Sequence, residues 1–87
     1  MKLRCIKTNG RNYMTVGRVY HAIFSEQMDF FTESDKSYNE QGEYIPIHNE
    51  DERYGSGLPV NCFEWVDGTP EEKALWDYCE ENGIDGL

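Results

Sequence analysis

"MTVGRVYHAIF", residues 14–24, sets a Thr-x-Gly-Arg-x-Tyr turn directly ahead of a run of strand-forming residues. Gly17 permits a left-handed or tightly bent backbone that a residue with a β-carbon resists, and Val19, Tyr20, Ala22, Ile23 and Phe24 follow as a strand. A turn of this kind feeding β-branched and aromatic residues is a sheet-building unit.

On the N-terminal side, "KLRCIKTN" (2–9) alternates Leu3 and Cys5 with Lys2 and Arg4 and reads as a first strand, which Asn9-Gly10 ends because both residues tolerate positive φ. On the C-terminal side "MDFF" (28–31) is a short third strand. The polar stretch "TESDKSYNEQG" (32–42) reads as a long exposed loop or hairpin tip. "EYIPIHN" (43–49) is a fourth strand carrying Tyr44, Ile45 and Ile47, and Pro46, which donates no ladder hydrogen bond, places it at an edge or a bulge. A second loop, "EDERYGSGLP" (50–59), leads to a fifth strand, "VNCFEWV" (60–66), with Phe63 and Trp65 on one face and Glu64 on the other.

After Gly68 the period changes. In "TPEEKALWDYCEENGIDGL" (69–87) Thr69 is an N-cap with Glu72 completing a capping box, Pro70 suits the first helical position, and Gly83 closes the helix. Leu75, Tyr78, Cys79 and Asn82, with Ala74 beside them, form a narrow stripe expected to dock on the sheet. The expected fold is therefore mainly β with one C-terminal α-helix: a small five-stranded antiparallel barrel over residues 1–67, and residues 68–87 as a helix packed on it within a single domain.

Eighty-seven residues support one modest core and no large catalytic cleft. No stretch reaches the roughly 18 apolar residues of a membrane span, and "MKLRCIKTNG" lacks the apolar core of a signal peptide, so a soluble, cytoplasmic protein without a membrane partner is expected. Cys5, Cys62 and Cys79 are odd in number and widely spaced, which fits reduced, buried thiols and neither a disulfide framework nor a zinc site. "HNEDER" (48–53) lacks the alternate-ligand spacing of a calcium loop and reads as a solvated acidic loop. No metal and no cofactor are expected. Nor does any nucleophile motif or phosphate-cradling glycine loop point to an enzyme, although His21, His48, the cysteines and many carboxylates are present.

Charge is distributed unevenly along the chain. Lys2, Arg4, Lys7, Arg11 and Arg18 are the only charged residues before Ser25, whereas all 17 acidic residues come later, against Lys36, Arg53 and Lys73. Whether this makes the molecule two-sided in space depends on which strands become neighbours.

The basic first strand, the Thr15, Gly17, Tyr20 turn and the closing Cys62-Phe63-Glu64-x-Val66 stretch resemble small bacteriophage-encoded proteins with a Src-homology-3-like barrel. The resemblance implies that the glycine turn swings the first strand into the second, that the Phe-Glu strand seals the barrel, and that the protein works in a bacterial host cytoplasm. The two long loops and the C-terminal helix depart from that pattern. They are where a particular function would be added.

Three functions fit these residues. Tyr38 and Tyr54 sit in polar loops flanked by Glu33, Asp35, Glu40 and Glu43 and by Glu50, Asp51 and Glu52, an arrangement suited to anchoring a protein partner with a basic surface. Both tyrosines fit equally well as loop residues packed over the barrel. Small barrels with a basic strand and nearby Tyr13 and Tyr20 also read nucleic acid, but a net charge of -9 repels phosphate. The third reading is an acidic DNA mimic that occupies a host protein's DNA channel, against which stands the mixing of lysine and arginine among the acids. The leading expectation is a non-enzymatic accessory protein that binds and modulates a host or phage protein.

Overall fold

Alternation in the first strand decides which face of the sheet becomes the core. The computed structural model describes residues 1–26, 29–45 and 58–83 of the chain. Strand β1, Lys2–Cys5, buries Leu3 and Cys5 completely and turns Lys2 and Arg4 outward. Asn9 and Gly10 both take positive φ, so the chain bends where the Asn-Gly pair predicts. Gly17 does so as well, at φ 90°, and its N–H donates to the Cys5 carbonyl at 2.7 Å, hooking the turn onto the end of β1.

Strand β2, Val19–Phe24, then pairs antiparallel with β1, Leu3 facing Tyr20. Strand β3, Phe30–Thr32, pairs with β2, and β4, Phe63–Asp67, pairs with the other side of β1. The order is β3-β2-β1-β4, an open sheet of four antiparallel strands among the described residues, which do not by themselves show a closed five-stranded barrel. Of the expected fourth strand, the described residues 43–45 form an isolated bridge, Tyr44 with Tyr38, and residues 46–49 lie outside the described residues. The fifth strand also starts later than expected, because Val60–Cys62 closes into a 3-10 turn that buries Val60 and Cys62 before β4 begins.

The core joins Leu3, Cys5, Tyr20, Ala22, Phe30 and Phe63 of the sheet to Leu58, Val60 and Cys62, and is closed by a helix. That helix, α1, spans Pro70–Asn82. Its start is as read: Thr69 accepts from the Glu72 N–H at 3.1 Å, Glu72 accepts from the Thr69 N–H at 2.9 Å, and Gly83 ends it in the left-handed region. The docked stripe differs from the expected one. Trp76 and Cys79 are the buried residues, Leu75 is half-buried, and Tyr78, Ala74 and Asn82 face solvent. Trp76 meets Phe30 edge-on with ring centroids 5.4 Å apart, and Phe30 meets Phe63 likewise at 5.9 Å. The largest side chain of the helix takes the core, which rotates the stripe away from Tyr78.

The strand order also answers the question of charge. Arg4 lies opposite Glu64 across β1 and β4 and pairs with it at 2.7 Å, the N-terminal ammonium pairs with Glu72 at 2.7 Å, and Arg18 pairs with Asp35 at 2.9 Å. Adjacent strands bring the basic opening of the chain against acids from later segments. Part of the charge separation seen along the sequence, that of Arg4, Arg18 and the N-terminus, is thereby cancelled in space.

Candidate partner-binding face

Asp35 explains the composition of the Thr-x-Gly-Arg-x-Tyr turn. The Thr15 hydroxyl donates to Asp35 Oδ2 at 2.8 Å, the Arg18 guanidinium donates to Oδ1 at 2.9 Å, and the Tyr20 hydroxyl donates to Oδ1 as well. Tyr20 in turn accepts from the Thr15 N–H at 2.7 Å, and the Asp35 N–H donates to the Tyr13 carbonyl at 2.8 Å. Three motif side chains converge on one carboxylate. Burial, and then the bond to Asp35, hold the Tyr20 phenol well above its ordinary pKa, so it stays a donor. The turn is therefore a clasp that fastens the segment after β3 to the sheet.

That segment was expected to be an exposed loop, and it is not uniformly exposed. Thr32, Glu33 and Ser37 are buried, and Asp35–Ser37 forms a 3-10 turn capped by Ser34. Beyond it the chain makes a small hairpin: Tyr38 and Tyr44 form the bridge, Ile45 N–H donates to the Ser37 carbonyl at 2.7 Å, and Asn39 Oδ1 accepts from the N–H groups of Gln41 and Glu43. Gly42 takes the positive φ that this tip requires. The side-chain carbonyl of Asn39 substitutes for a backbone acceptor, the usual role of asparagine in a turn.

Tyr38 is the one expected anchor within the described residues, and it is half-buried. Its hydroxyl donates to the Val19 carbonyl, its ring packs edge-on against Tyr20 and Tyr44 at 5.9 and 5.7 Å, and the Arg18 guanidinium lies 4.5 Å over its face. Burial, then the nearby Glu33 charge, raises its pKa. Tyr54, Glu50, Asp51 and Glu52, and with them His48, lie outside the described residues.

Supported by Tyr38, the hairpin presents two residues that the sequence reading had assigned to a strand. Tyr44 is 37% exposed and Ile45 is 45% exposed, and exposed Glu40 and Glu43 lie at the tip beside them. Tyr44 rests on the His21 ring at 5.2 Å and donates to Glu33 Oε1 at 3.1 Å, which fixes its orientation. The signal for this arrangement was in "NEQG", where Asn39 and Gly42 frame a tight tip.

Elsewhere the chemistry is quiet. All three cysteines are buried with their thiols held protonated by burial. Among the described residues no group of three His, Cys, Asp or Glu is placed to hold a metal ion, and no helix is long and apolar enough to cross a membrane. Comparison with protein-family models, curated proteins and solved structures found no match, so the function rests on the geometry of this face.

Proposed function

We propose that this chain is a non-enzymatic, phage-type accessory module of Src-homology-3-like descent that binds a host or phage protein in the bacterial cytoplasm through its acidic, tyrosine-bearing loops and modulates it. The observation that carries the reading is the hairpin tip, where a braced tyrosine and an isoleucine stand exposed beside Glu40 and Glu43. An aromatic anchor of fixed orientation with an acidic rim suits a basic protein surface with an apolar notch. Tyr38 supports that anchor from beneath, and the sequence of the second loop, with Tyr54 after Glu50, Asp51 and Glu52, has the same acidic, tyrosine-bearing character. Arg4, Arg18 and the N-terminus are engaged with acids and the chain carries a net charge of -9, which favours a protein partner over nucleic acid.

The test is capture from bacterial lysate with the wild-type protein and the double variant Tyr44→Ala/Ile45→Ala side by side. The partner retained by the first and lost by the second is then purified and titrated. Tyr44→Ala is expected to speed dissociation, and Glu40→Gln/Glu43→Gln to slow association and flatten its salt dependence. Firm retention of the wild-type protein on a DNA or RNA column at about 0.15 M salt, where screening acts beyond about 8 Å, would overturn the reading in favour of nucleic acid.

A further inference from the structure

Among the described residues strand β4 is an edge of the sheet, and a groove runs along its open side, lined by Ile6, Val60, Phe63, Glu64, Trp65 and Glu80. These residues come from both faces of the sheet. Phe63 and Trp65 lie opposite Cys5 and Leu3, on the core side, whereas Glu64 lies opposite Arg4 on the outer side. One groove collects residues from both faces of a strand only if it follows the strand's edge.

Hydrogen bonding identifies what that edge offers. Ile6 N–H donates to the Cys62 carbonyl at 2.7 Å, so Cys62 faces β1, and by alternation Glu64, opposite Arg4, does the same. The peptide groups of Phe63 and Trp65 then point away from β1. The Phe63 N–H turns back to the Val60 carbonyl, so alternation, followed as far as the register shift between Lys2 and Leu3, leaves the Phe63 carbonyl and the Trp65 N–H on the side away from β1. Apolar surface lies alongside: Ile6 is 46% exposed and Trp65 is half-buried. Two carboxylates border it: Glu64, half exposed and paired with Arg4, and Glu80, exposed and without an ion pair among the described residues, while Lys73 lies 5.5 Å from the Trp65 ring centroid.

We infer that β4 accepts an extended segment of a partner protein as an added antiparallel or parallel strand, with an apolar side chain seated against Trp65 and Ile6 and a lysine or arginine directed at Glu80. Backbone bonds at Trp65 supply register, and the acidic border selects a cationic segment. Two features favour such a segment over a second copy of this chain. The border is acidic and the chain carries -9, so two β4 edges repel each other, whereas a basic segment is attracted. The site lies across the sheet from the hairpin, and its fate is independent of the proposed function.

A short labelled peptide alternating lysine and valine serves as the probe, with a glutamate–valine peptide and a lysine–valine peptide N-methylated along one edge as controls. The full chain is expected to bind the first saturably, to bind each control at least about tenfold more weakly, and to show slowed hydrogen exchange at the Trp65 amide on binding. Glu80→Lys, an exposed position, is expected to weaken binding about tenfold, whereas Glu43→Lys on the hairpin leaves it unchanged. Four results would overturn the inference: no saturable binding, binding without protection of the Trp65 amide, loss of binding in Glu43→Lys but not in Glu80→Lys, or protection of that amide in a peptide-free dimer.

Discussion

The two sides of the sheet are held by different forces. Beyond β2 the hairpin is fastened by polar groups gathered on Asp35, while beside β4 the helix is fastened by Trp76 and Cys79 in an apolar core. Apolar burial is non-directional and shared by many neighbours, so it fails all at once. A polar clasp is directional and rests on a few bonds, so it opens locally. The face proposed to meet a partner therefore sits on the side able to adjust without unfolding the rest.

Removing the helix's main contact tests the apolar side most severely. Trp76→Ala is expected to lower unfolding free energy by about 3–5 kcal/mol in urea titration, with protection lost from sheet and hairpin together. A loss below about 1 kcal/mol would mean that the helix is free, and would make it the leading partner-binding element.

Asp35→Ala attacks the opposite side. A loss of roughly 2 kcal/mol is expected, since Arg18 and Asp35 are partly exposed and solvent already weakens their pairing. Hydrogen exchange should accelerate over residues 37–45 while β1 and β4 stay protected, and global acceleration would contradict the local nature of the clasp. The same variant lowers the alkaline limit of Tyr20. In the wild type the phenol's raised pKa contributes stability that is fully present below pH 10.0, its ordinary value, and is lost as pH rises through the higher folded value. Absorbance titration is expected to show Tyr20 ionising earlier once Asp35 is gone.

Gly17 carries the backbone cost of the turn. A β-carbon there meets nothing within 4 Å, so Gly17→Val and Gly17→Ala are both expected to cost about 1–2 kcal/mol through φ alone. A much larger cost for valine would point to packing instead. Thr69→Ala, which removes one half of the capping box, is expected to cost about 1 kcal/mol and to leave the hairpin's exchange unchanged.

The smallest effect is expected at the seam between helix and N-terminus. The N-terminal ammonium, then the Thr69 N–H, hold the Glu72 carboxyl below the ordinary carboxylate range. Its stabilisation is present above pH 4.5 and is lost as pH falls through the lowered folded value. Glu72→Gln should flatten the acid limb of the stability profile in that window. An unchanged limb would remove the ion pair from the fold's accounting.

Local chemistry was legible in the sequence wherever one residue's conformational preference decided the outcome. The bends at Asn9-Gly10 and Gly17, the burial of Leu3 and Cys5, and the start of α1 at Thr69 with its stop at Gly83 follow from positive φ, alternation and capping, which need no distant partner. Which neighbours those elements acquire was decided only by the tertiary structure. Trp76 displaced Tyr78 from the core because helix rotation is set by the pocket that Phe30 and Phe63 leave, and periodicity is silent about that pocket. Asp35, read as an acid flanking Tyr38 in an exposed loop, became the centre of the clasp because Thr15, Arg18 and Tyr20 meet it across 15 to 20 residues of chain. Composition counts charges, but only the order β3-β2-β1-β4 sets Arg4 against Glu64, because Coulomb attraction depends on distance in space and not along the chain.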